Sequence, residues 1–501
     1  MSEQTTRSVE AEDLYRLLVL SDSQISPDGR QVVFCVDRAD RESEKKYTNL
    51  WIVQTDDGQA RQLTQGDQND RHPRWSPDGQ TIAFLSNRAD EKQSQIYLLP
   101  MTGGDARPLT ALQGEFATFL WSPDGSELLC QFRKKDQEAV EREADPQKKE
   151  LGIVARRINR VFFKLDGTGY LPHERWHIWR IDVETGVSQQ LTDGQVYDEL
   201  SPCWSPDAQT IAFLSNRSPD PDLDPDAIDV YLMPATGMST EADLTRLPSP
   251  PGDKSLLSYS PDGRHLAFIG HDTPSGWWKN YGIWVLPTDG SEPAHDITAQ
   301  YDINVGNATL GDIADRPSIR PTWSAYGRRI YFQLSQHGVT RVHSTTPEGD
   351  DLRCELDRPG GVGMFTLDNA GTAMACILGA FDDPGNVWFK DLSSGETRQL
   401  THFNEKLLGQ IDLGQVEEIW FKGADDNDLQ GWIIKPPGFD PGRRYPAILE
   451  IHGGPWLQYG NSFMHEFYYL AARGYVVFFC NPRGGQGYGE QHSRAIANDW
   501  G

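Results

Sequence analysis

The pentapeptide Trp75-Ser76-Pro77-Asp78-Gly79 recurs, with substitutions, along most of the chain. Proline sets φ for the first corner of a turn, aspartate bonds nearby backbone amides, and glycine accepts the left-handed position. Each copy therefore predicts a tight turn. The other copies lie at 25–29, 121–125, 204–208 and 259–263 and, in fainter form, at 323–327 and 367–371.

The residues that follow each turn also repeat. Apolar, β-rich runs such as TIAFL at 81–85 and at 210–214 predict inner strands, and a second apolar run predicts another strand. Many units close on a Leu-Thr pair, as at 63–64, 109–110, 191–192 and 400–401. One repeat therefore predicts one four-stranded sheet.

The spacing of the turns identifies the architecture. Successive copies start 50, 46, 83, 55, 64 and 44 residues apart. Propeller blades repeat at about 40 to 50 residues, so seven units with inserted loops predict a seven-bladed β-propeller. A β-sandwich with many similar turns would explain neither the constant strand order nor the Leu-Thr closures.

Composition excludes several classes of function. The 501 residues include 73 acidic and 47 basic side chains, giving a net charge of −26, and this charge disfavours nucleic-acid and membrane-surface binding. Six cysteines without a CxxC pair predict reduced thiols. The N-terminus has no apolar signal region. We therefore expect a soluble, cytoplasmic protein with no cofactor.

Two stretches could suggest a metal site. The run His173-Glu174-Arg175-Trp176-His177 matches HExxH, but it leads into an alternating, strand-like run. On a strand, residues four apart lie about 13 Å from each other, which is too far to chelate one ion. Prolines interrupt the acidic loop at 219–229, which favours an exposed linker over a calcium site. We expect no metal.

Three further segments carry local predictions. Residues 10–20 have leucines at helical spacing and predict a short amphipathic helix before the first blade. Residues 134–150, in a long insertion of the third blade, are nearly all charged and predict a solvated helical excursion. The aromatic side chains of Trp277, Trp278 and Tyr281 could form a binding wall, although propellers routinely bury such residues.

After residue 401 the repeat ends and a different pattern begins. Segments 416–422 and 429–435 predict a hairpin joined through 424–428. Residues 445–451 and 475–480 predict buried strands, and 462–473 predicts a helix capped by Ser462 and ended by Gly474. A glycine-rich loop and a last helix follow at 481–495. This order is typical of the start of a doubly wound α/β domain.

A glycine pair, Gly453-Gly454, follows the first buried strand directly. Two glycines at the end of a strand let backbone amides face one point, as an oxyanion hole requires. With the repeated turns, His452-Gly-Gly-Pro455, the loop NPRGGQGYG at 481–489 and the terminal Asp499-Trp-Gly501, the whole chain resembles the prolyl oligopeptidase family of serine peptidases. The resemblance is strongest to its acylaminoacyl-peptidase and dipeptidyl-aminopeptidase branch.

The resemblance implies three segments: an N-terminal helical segment at 1–22, the propeller at 23–402 and an incomplete α/β-hydrolase domain at 403–501. It also implies a peptidase that releases N-terminal residues or dipeptides from short peptides, with the propeller controlling access. Gly454 and Gly453 would provide the oxyanion hole, and His452, Arg483 and Tyr488 would shape the site. Short peptides are the expected partners, and homo-oligomer formation is left open.

The sequence departs from the family in one respect. No G-x-S-x-G motif occurs at 416–501, and the family places its serine, aspartate and histidine further along the chain. His452 is not expected to be the triad histidine. We therefore expect a chain that ends before its nucleophile and is inactive alone. The alternative is a non-catalytic propeller that serves as an interaction scaffold, and the segment after 416 argues against it.

Overall fold

The computed structural model describes residues 6–313, 317–424 and 426–499. Strands hold 41% of the residues and helices 9%, so the fold is mainly β, as predicted. The described residues form two compact units, one of 6–73, 277–283 and 296–499 and one of 74–276 and 284–295. Parts of three predictions lie outside the described residues: the chain start at 1–5, Asp425 of the hairpin turn, and the terminal Trp500-Gly501.

The strands run through the whole described chain. Up to residue 134 they are β1 (Arg7–Ser8), β2 (Leu18–Ile25), β3 (Gln31–Asp40), β4 (Lys45–Gln54), β5 (Ala60–Gln62), β6 (Asp70–Trp75), β7 (Thr81–Ser86), β8 (Gln95–Pro100), β9 (Arg107–Pro108), β10 (Gly114–Trp121) and β11 (Glu127–Lys134). From there to residue 300 they are β12 (Lys164–Leu165), β13 (Gly169–Tyr170), β14 (Trp176–Asp182), β15 (Ser188–Gln190), β16 (Glu199–Trp204), β17 (Thr210–Asn216), β18 (Ile228–Pro234), β19 (Thr245–Arg246), β20 (Lys254–Tyr259), β21 (His265–Gly270), β22 (Gly282–Pro287) and β23 (His295–Asp296).

The remaining strands and the helices complete the element order. The strands are β24 (Asn304–Val305), β25 (Thr322–Trp323), β26 (Ile330–Gln336), β27 (Val339–Thr345), β28 (Arg353–Cys354), β29 (Gly361–Leu367), β30 (Ala373–Ala380), β31 (Asp383–Asp391), β32 (Thr397–Gln399), β33 (Ile411–Asp412), β34 (Gln415–Lys422), β35 (Asp428–Lys435), β36 (Ala447–Glu450) and β37 (Val476–Cys480). The α-helices are α1 (Gln137–Ala144), α2 (Pro146–Leu151), α3 (Glu405–Leu408), α4 (His465–Ala472) and α5 (Glu490–Arg494). Short 3₁₀ helices cover Ala11–Tyr15, Glu241–Asp243 and Ala299–Tyr301.

Antiparallel four-stranded sheets recur as the repeats predict. They have the orders β2-β3-β4-β5, β10-β11-β14-β15 and β16-β17-β18-β19. The two repeats between 304 and 399 differ from the prediction of separate sheets, because they join into one nine-stranded sheet in the described residues. A single parallel pair, Thr340 with Gly361, makes that join.

The predicted turns share one hydrogen-bond pattern. In the copy at 121–125, the Ser122 hydroxyl donates to Asp124 at 2.6 Å and accepts the Glu127 N–H at 3.0 Å. The same two bonds occur at Ser26, Ser76, Ser205 and Ser260. In the last copy Asp368 replaces the serine and accepts the Ala373 N–H at 2.9 Å.

Several turns also pack on another turn. Gly125 has φ +75°, and a side chain there would meet the ring of Pro77, in the preceding copy, at 3.4 Å. A Cβ atom on Gly29, in the first copy, would lie 3.2 Å from a carboxylate oxygen of Asp368, in the last copy. One buried cluster joins the first repeat to the last, with Val32 and Phe34 against Ala375 and Val387. The turn sequence is therefore part of the packing between repeats.

The Leu-Thr closures have an equally regular role. The threonine hydroxyl accepts the N–H of a residue in the third strand of its own repeat, as in Thr64 with Leu50 and Thr401 with Val387. Thr110 and Thr192 do the same, and so does Thr298, which follows an isoleucine. The preceding leucine is buried at Leu109, Leu191 and Leu400. The pair thus fixes the outer strand to the sheet.

The predicted helix at 10–20 is wrong in most of its length. Only Ala11–Tyr15 is helical, as a 3₁₀ turn, and β2 begins at Leu18 because these residues pair with β3. Leu17 is buried in a cluster with Trp432 and Tyr468 of the C-terminal segment. Sheet pairing outweighs the local helical pattern here. The charged helices α1 and α2 have no buried residue, as predicted.

The HExxH run lies at a strand, not on a helix. His177, in β14, has Nδ1 2.8 Å from a Glu199 carboxylate oxygen and Nε2 3.0 Å from the Gly194 carbonyl. Both ring nitrogens therefore lie against protein oxygen atoms, which occupy the positions that a metal ion would need. His173 is exposed, and its backbone N–H bonds Asp136. No group of His, Cys, Asp and Glu in the described residues is arranged to hold a metal ion.

The helices of the described residues are short. The longest, α1 and α4, have eight residues each, whereas a bilayer-spanning helix needs roughly 20. None of the described helices has the length and apolar content needed to span a membrane.

Loss of a turn hydroxyl should destabilise the protein in a pH-dependent manner. Ser76→Ala should lower the free energy of unfolding at pH 7 by about 1–2 kcal/mol, because the hydroxyl loses its bonds to Asp78 and to the Thr81 N–H. The bond to Asp78 also lowers the pKa of that carboxyl in the folded state. The difference from wild type should shrink as the pH falls through that lowered pKa, since the protonated carboxyl loses this advantage. Urea denaturation at pH 7 and about pH 3 measures it. Thr102→Ala, at an exposed turn position, is the control, and an equal loss at both pH values would contradict the assignment.

Substitutions at the two ends of the HExxH run should differ in their effect on stability. Glu199→Ala should lower the free energy of unfolding by about 3–5 kcal/mol, because Arg217, which bonds Glu199, would remain buried without that partner. His173→Ala should have no measurable effect. Denaturation curves and zinc analysis by atomic absorption test both statements. Stoichiometric zinc that both substitutions remove would show that the run is a metal site.

Candidate functional site

The C-terminal sheet has the strand order β34-β35-β37-β36. The hairpin β34–β35 is antiparallel, β35 pairs antiparallel with β37, and β36 pairs parallel with β37. The helix α4 connects the two parallel strands and buries Phe467 and Ala471 against Val477 and Phe479. The predicted order of strand, loop, helix and strand is therefore present.

The start of α4 corrects the prediction of a Ser462 cap. The helix begins at His465, and the buried Ser462 hydroxyl has no hydrogen-bond partner among the described residues. The Asp312 carboxylate instead accepts the Glu466 N–H at 2.9 Å, so an acceptor from a distant part of the chain caps the helix. Burial raises the pKa of Asp312. Gly474, with φ +92°, follows the helix end as predicted.

The glycine pair lies in the loop that leaves β36. Gly454 has φ +129°, and a Cβ atom there would lie 2.9 Å from the Trp456 nitrogen, so the position requires glycine. A Cβ atom on Gly453 would meet nothing within 4 Å. In the described part of the chain, neither glycine N–H donates a hydrogen bond to another protein group. Two exposed backbone donors are therefore available beside each other at the end of a strand.

His452 lies beside this pair and contacts both an aromatic ring and a backbone carbonyl. Its ring lies edge-on to Tyr459, with 4.9 Å between ring centroids, and Nδ1 is 2.9 Å from the Gly453 carbonyl. Its Nε2 atom is buried and has no partner within the described residues. The contacts with the Tyr459 ring and with the Gly453 carbonyl therefore orient this ring together.

Asn481 connects the glycine pair to the glycine-rich loop. Its fully buried amide donates to the Tyr459 carbonyl at 2.9 Å and to the Tyr488 hydroxyl at 2.6 Å, and it accepts the Tyr459 N–H at 2.7 Å. Tyr488 donates in turn to Gln430 at 2.6 Å. Burial raises the pKa of Tyr459 to about 12 and also raises that of Tyr488, so both phenols are neutral at neutral pH. These bonds link Tyr488 through Asn481 to Tyr459, and the ring contact of Tyr459 with His452 extends the link to a second predicted site residue.

Arg483 lies apart from this network. Its guanidinium donates to the Ala495 carbonyl and to the Asp499 carboxylate, both at 3.1 Å. In the described residues it therefore holds the segment after α5. The structure brings His452 and Tyr488 into one network, and it directs Arg483 elsewhere.

Two buried glutamines, which sequence reasoning missed, anchor the loops of the site. Gln458 donates to the Thr309 hydroxyl at 2.8 Å and accepts the Gly338 N–H at 3.1 Å. Gln486 accepts from Asn304 at 2.9 Å. Both glutamines are almost fully buried. Both glutamines lie beside glycines and aromatic residues in the sequence, and this position could have indicated a buried role. A sequence alone, however, does not show which glutamine is buried.

The aromatic residues before β22 contact the same region. The Tyr281 ring lies 5.0 Å from the Trp456 ring, two residues after the glycine pair. The Arg494 guanidinium lies over the Trp278 ring at 4.8 Å. Two of the three predicted wall residues therefore pack on the C-terminal segment.

Removal of the Asn481 side chain should loosen the site. Asn481→Ala should lower the free energy of unfolding by roughly 3 kcal/mol, because it leaves the buried Tyr459 N–H and C=O without partners. Amide hydrogen exchange should accelerate at 451–460 more than in β2–β5. Asn369→Ala, at an exposed position, is the matched control. Unchanged exchange at 451–460 would show that the network does not hold the glycine loop.

Comparison with known proteins places these features in context. Residues 20–155 match the TolB beta propeller domain, and residues 461–501 match the prolyl oligopeptidase family. The uncharacterized peptidase YuxL of Bacillus subtilis is 28% identical over 497 residues, which cover 98% of this chain and 73% of the relative. Dipeptidyl-peptidase 5 of Porphyromonas gingivalis is 24% identical, over 96% of this chain and 69% of the relative.

The fold of this chain is also similar to that of a solved peptidase structure. The acylaminoacyl peptidase of Pyrococcus horikoshii superimposes with a TM-score of 0.76 at 22% identity, over 98% of this chain and 69% of that protein. At this identity the likeness concerns the fold alone. The chain is thus similar to the prolyl oligopeptidase family over residues 461–501, to the TolB beta propeller domain over residues 20–155, and to the two named relatives over nearly its whole length.

Proposed function

We propose that this chain forms the propeller and the first part of the α/β-hydrolase domain of a serine peptidase. Its substrates would be short peptides, from which it releases N-terminal residues or dipeptides. The observation that carries the proposal is the glycine pair after β36, with its two backbone donors unused within the described protein. The names of the relatives, a peptidase and a dipeptidyl-peptidase, support the same class of reaction.

The pair would act on the charge that develops during acyl transfer. A serine that attacks a peptide carbonyl produces a tetrahedral oxyanion, and fixed N–H donors stabilise it more than they stabilise the substrate. Each such donor contributes about 3–4 kcal/mol to lowering the barrier. Gly454 and Gly453 lie on a loop that Gln458 and Asn481 hold in place, so the donors would need little rearrangement.

The other site residues would shape the surroundings of this pair. His452 would pack beside the glycines through its Tyr459 contact, and Tyr488 would brace the facing loop through Asn481 and Gln430. Arg483 would set the path of the chain after α5 through Asp499. These are positioning roles. Neither a cofactor nor a metal ion is part of the proposed reaction.

The domain limits and the propeller follow the repeat pattern. We place the N-terminal segment at 1–22, a seven-bladed propeller at 23–402 and the hydrolase part at 403–501. The propeller would admit short peptides and exclude folded proteins, in the cytoplasm. The contacts of Gln458 and Gln486 with residues 304–338 support a fixed attachment of the site loops to the last repeats.

The absence of G-x-S-x-G from 416–501 leads to a test by active-site labelling. The 501-residue chain should not react with a fluorophosphonate probe, because it lacks the serine nucleophile. A polypeptide that continues along the reading frame after Gly501 should contain a G-x-S-x-G motif and react. Labelling of the shorter chain would contradict the missing nucleophile. A stop codon directly after Gly501, or no reaction of the longer polypeptide, would favour an interaction scaffold.

The role of the glycine pair can be tested separately in the longer polypeptide. Gly454→Ala should lower kcat about 100-fold or more with little change in KM, because the new Cβ displaces the amide from the oxyanion. Gly442→Ala is the control, since its Cβ would approach only the side chain of Asp440. Full kcat in Gly454→Ala would remove this glycine from the oxyanion hole without affecting the peptidase assignment.

A further inference from the structure

Exposed apolar side chains are concentrated in the insertion of the third repeat. Nine of the 20 large apolar residues that are exposed in the described chain lie between residues 151 and 170. The most exposed are Val154 at 74%, Leu151 at 72% and Val161 at 58%. Patches of this kind usually mark interaction sites. We call residues 136–170 the insertion arm.

The insertion arm is held in place rather than loose. Arg160 makes two hydrogen bonds to Asp222, at 2.7 and 3.1 Å, and the Phe162 N–H bonds the same carboxylate at 3.0 Å. The Arg156 guanidinium lies 4.1 Å from the centre of the Tyr170 ring. At the base of the arm, Asp136 accepts the His173 and Glu174 N–H groups. The exposed apolar side chains are therefore presented on a fixed framework.

The arm has opposite charges in its two halves. Residues 136–147 contain five acidic side chains and one basic, a net charge of −4. Residues 148–164 contain six basic side chains and one acidic, a net charge of +5, in a chain whose total is −26. Anionic lipid or nucleic acid would attract the second half but would be repelled by the first half and by the rest of the chain. A second arm running in the opposite direction would match both halves.

We propose that two copies of this chain associate through their insertion arms. A two-fold axis would place the acidic half of each arm against the basic half of the other, with Leu151, Val154 and Val161 of both copies buried between them. Such an interface must be self-complementary, and the charge pattern of the arm meets this requirement. Arginine and aromatic side chains, which are enriched at interfaces, lie at the same place in Arg157, Phe162 and Phe163.

Analytical ultracentrifugation of the 501-residue chain at tens of micromolar is the first test. The wild type should sediment as a dimer, and Val154→Asp should weaken dimerisation roughly 100-fold, because it places a charge in the apolar contact. Val187→Asp is the matched control, since Val187 is 66% exposed in the same repeat but outside the arm. A monomeric wild type, or a dimer that Val154→Asp does not weaken, would overturn the proposal.

Exchange of the charges gives a stricter test. Lys148→Glu with Lys149→Glu and Arg157→Glu makes both halves acidic, and Glu138→Lys with Glu141→Lys and Glu143→Lys makes the acidic half basic; all six positions are exposed. Each variant alone should dimerise roughly 100-fold more weakly than wild type, and an equimolar mixture should recover a one-to-one dimer. Circular dichroism would check that both variants are folded. A mixture that stays monomeric, or single variants that dimerise normally, would overturn the pairing.

Discussion

A serine hydroxyl that bridges an aspartate carboxylate and a strand N–H fixes the turn on which the repeats depend. The bond sets the direction of the following strand, and the glycine two residues after the proline leaves room for a neighbouring turn. A substitution that distorts one turn should therefore disturb the strand that follows it and also the packing against the neighbouring turn. In the last copy an aspartate takes over the acceptor role of the serine, which shows that an acceptor at this position, and not serine itself, is required.

The C-terminal segment depends on buried polar side chains instead of a repeated turn. Asn481 satisfies both backbone groups of Tyr459, and Gln458 bonds residues in two other loops. Buried amides are costly unless every donor and acceptor is paired, so each of these contacts restricts the loops to one arrangement. The glycine pair differs from this network, in which the polar groups bond each other. Its two N–H groups donate to no other protein group within the described residues.

The sequence predicted elements well where short-range chemistry decides them. The turns, the Leu-Thr closures, the hairpin β34–β35 and the location of the HExxH run outside a helix all follow from local preferences and alternation. The predictions failed where a distant partner competes. Leu18 lies in a strand and not in a helix because it pairs with β3. Asp312, and not Ser462, caps α4. Neither partner is near its target in sequence.

The sequence by itself determined the repeat, the change of pattern after residue 401 and the glycine pair, because proline, aspartate and glycine restrict φ and ψ locally. Tertiary structure alone decided that His452 and Tyr488 share a network while Arg483 bonds Asp499, and that the apolar residues of the insertion arm are exposed. Burial and hydrogen-bond partners depend on which residues the fold brings together, including pairs such as Thr309 and Gln458 that are 149 positions apart. Local sequence patterns do not show which distant residues come into contact.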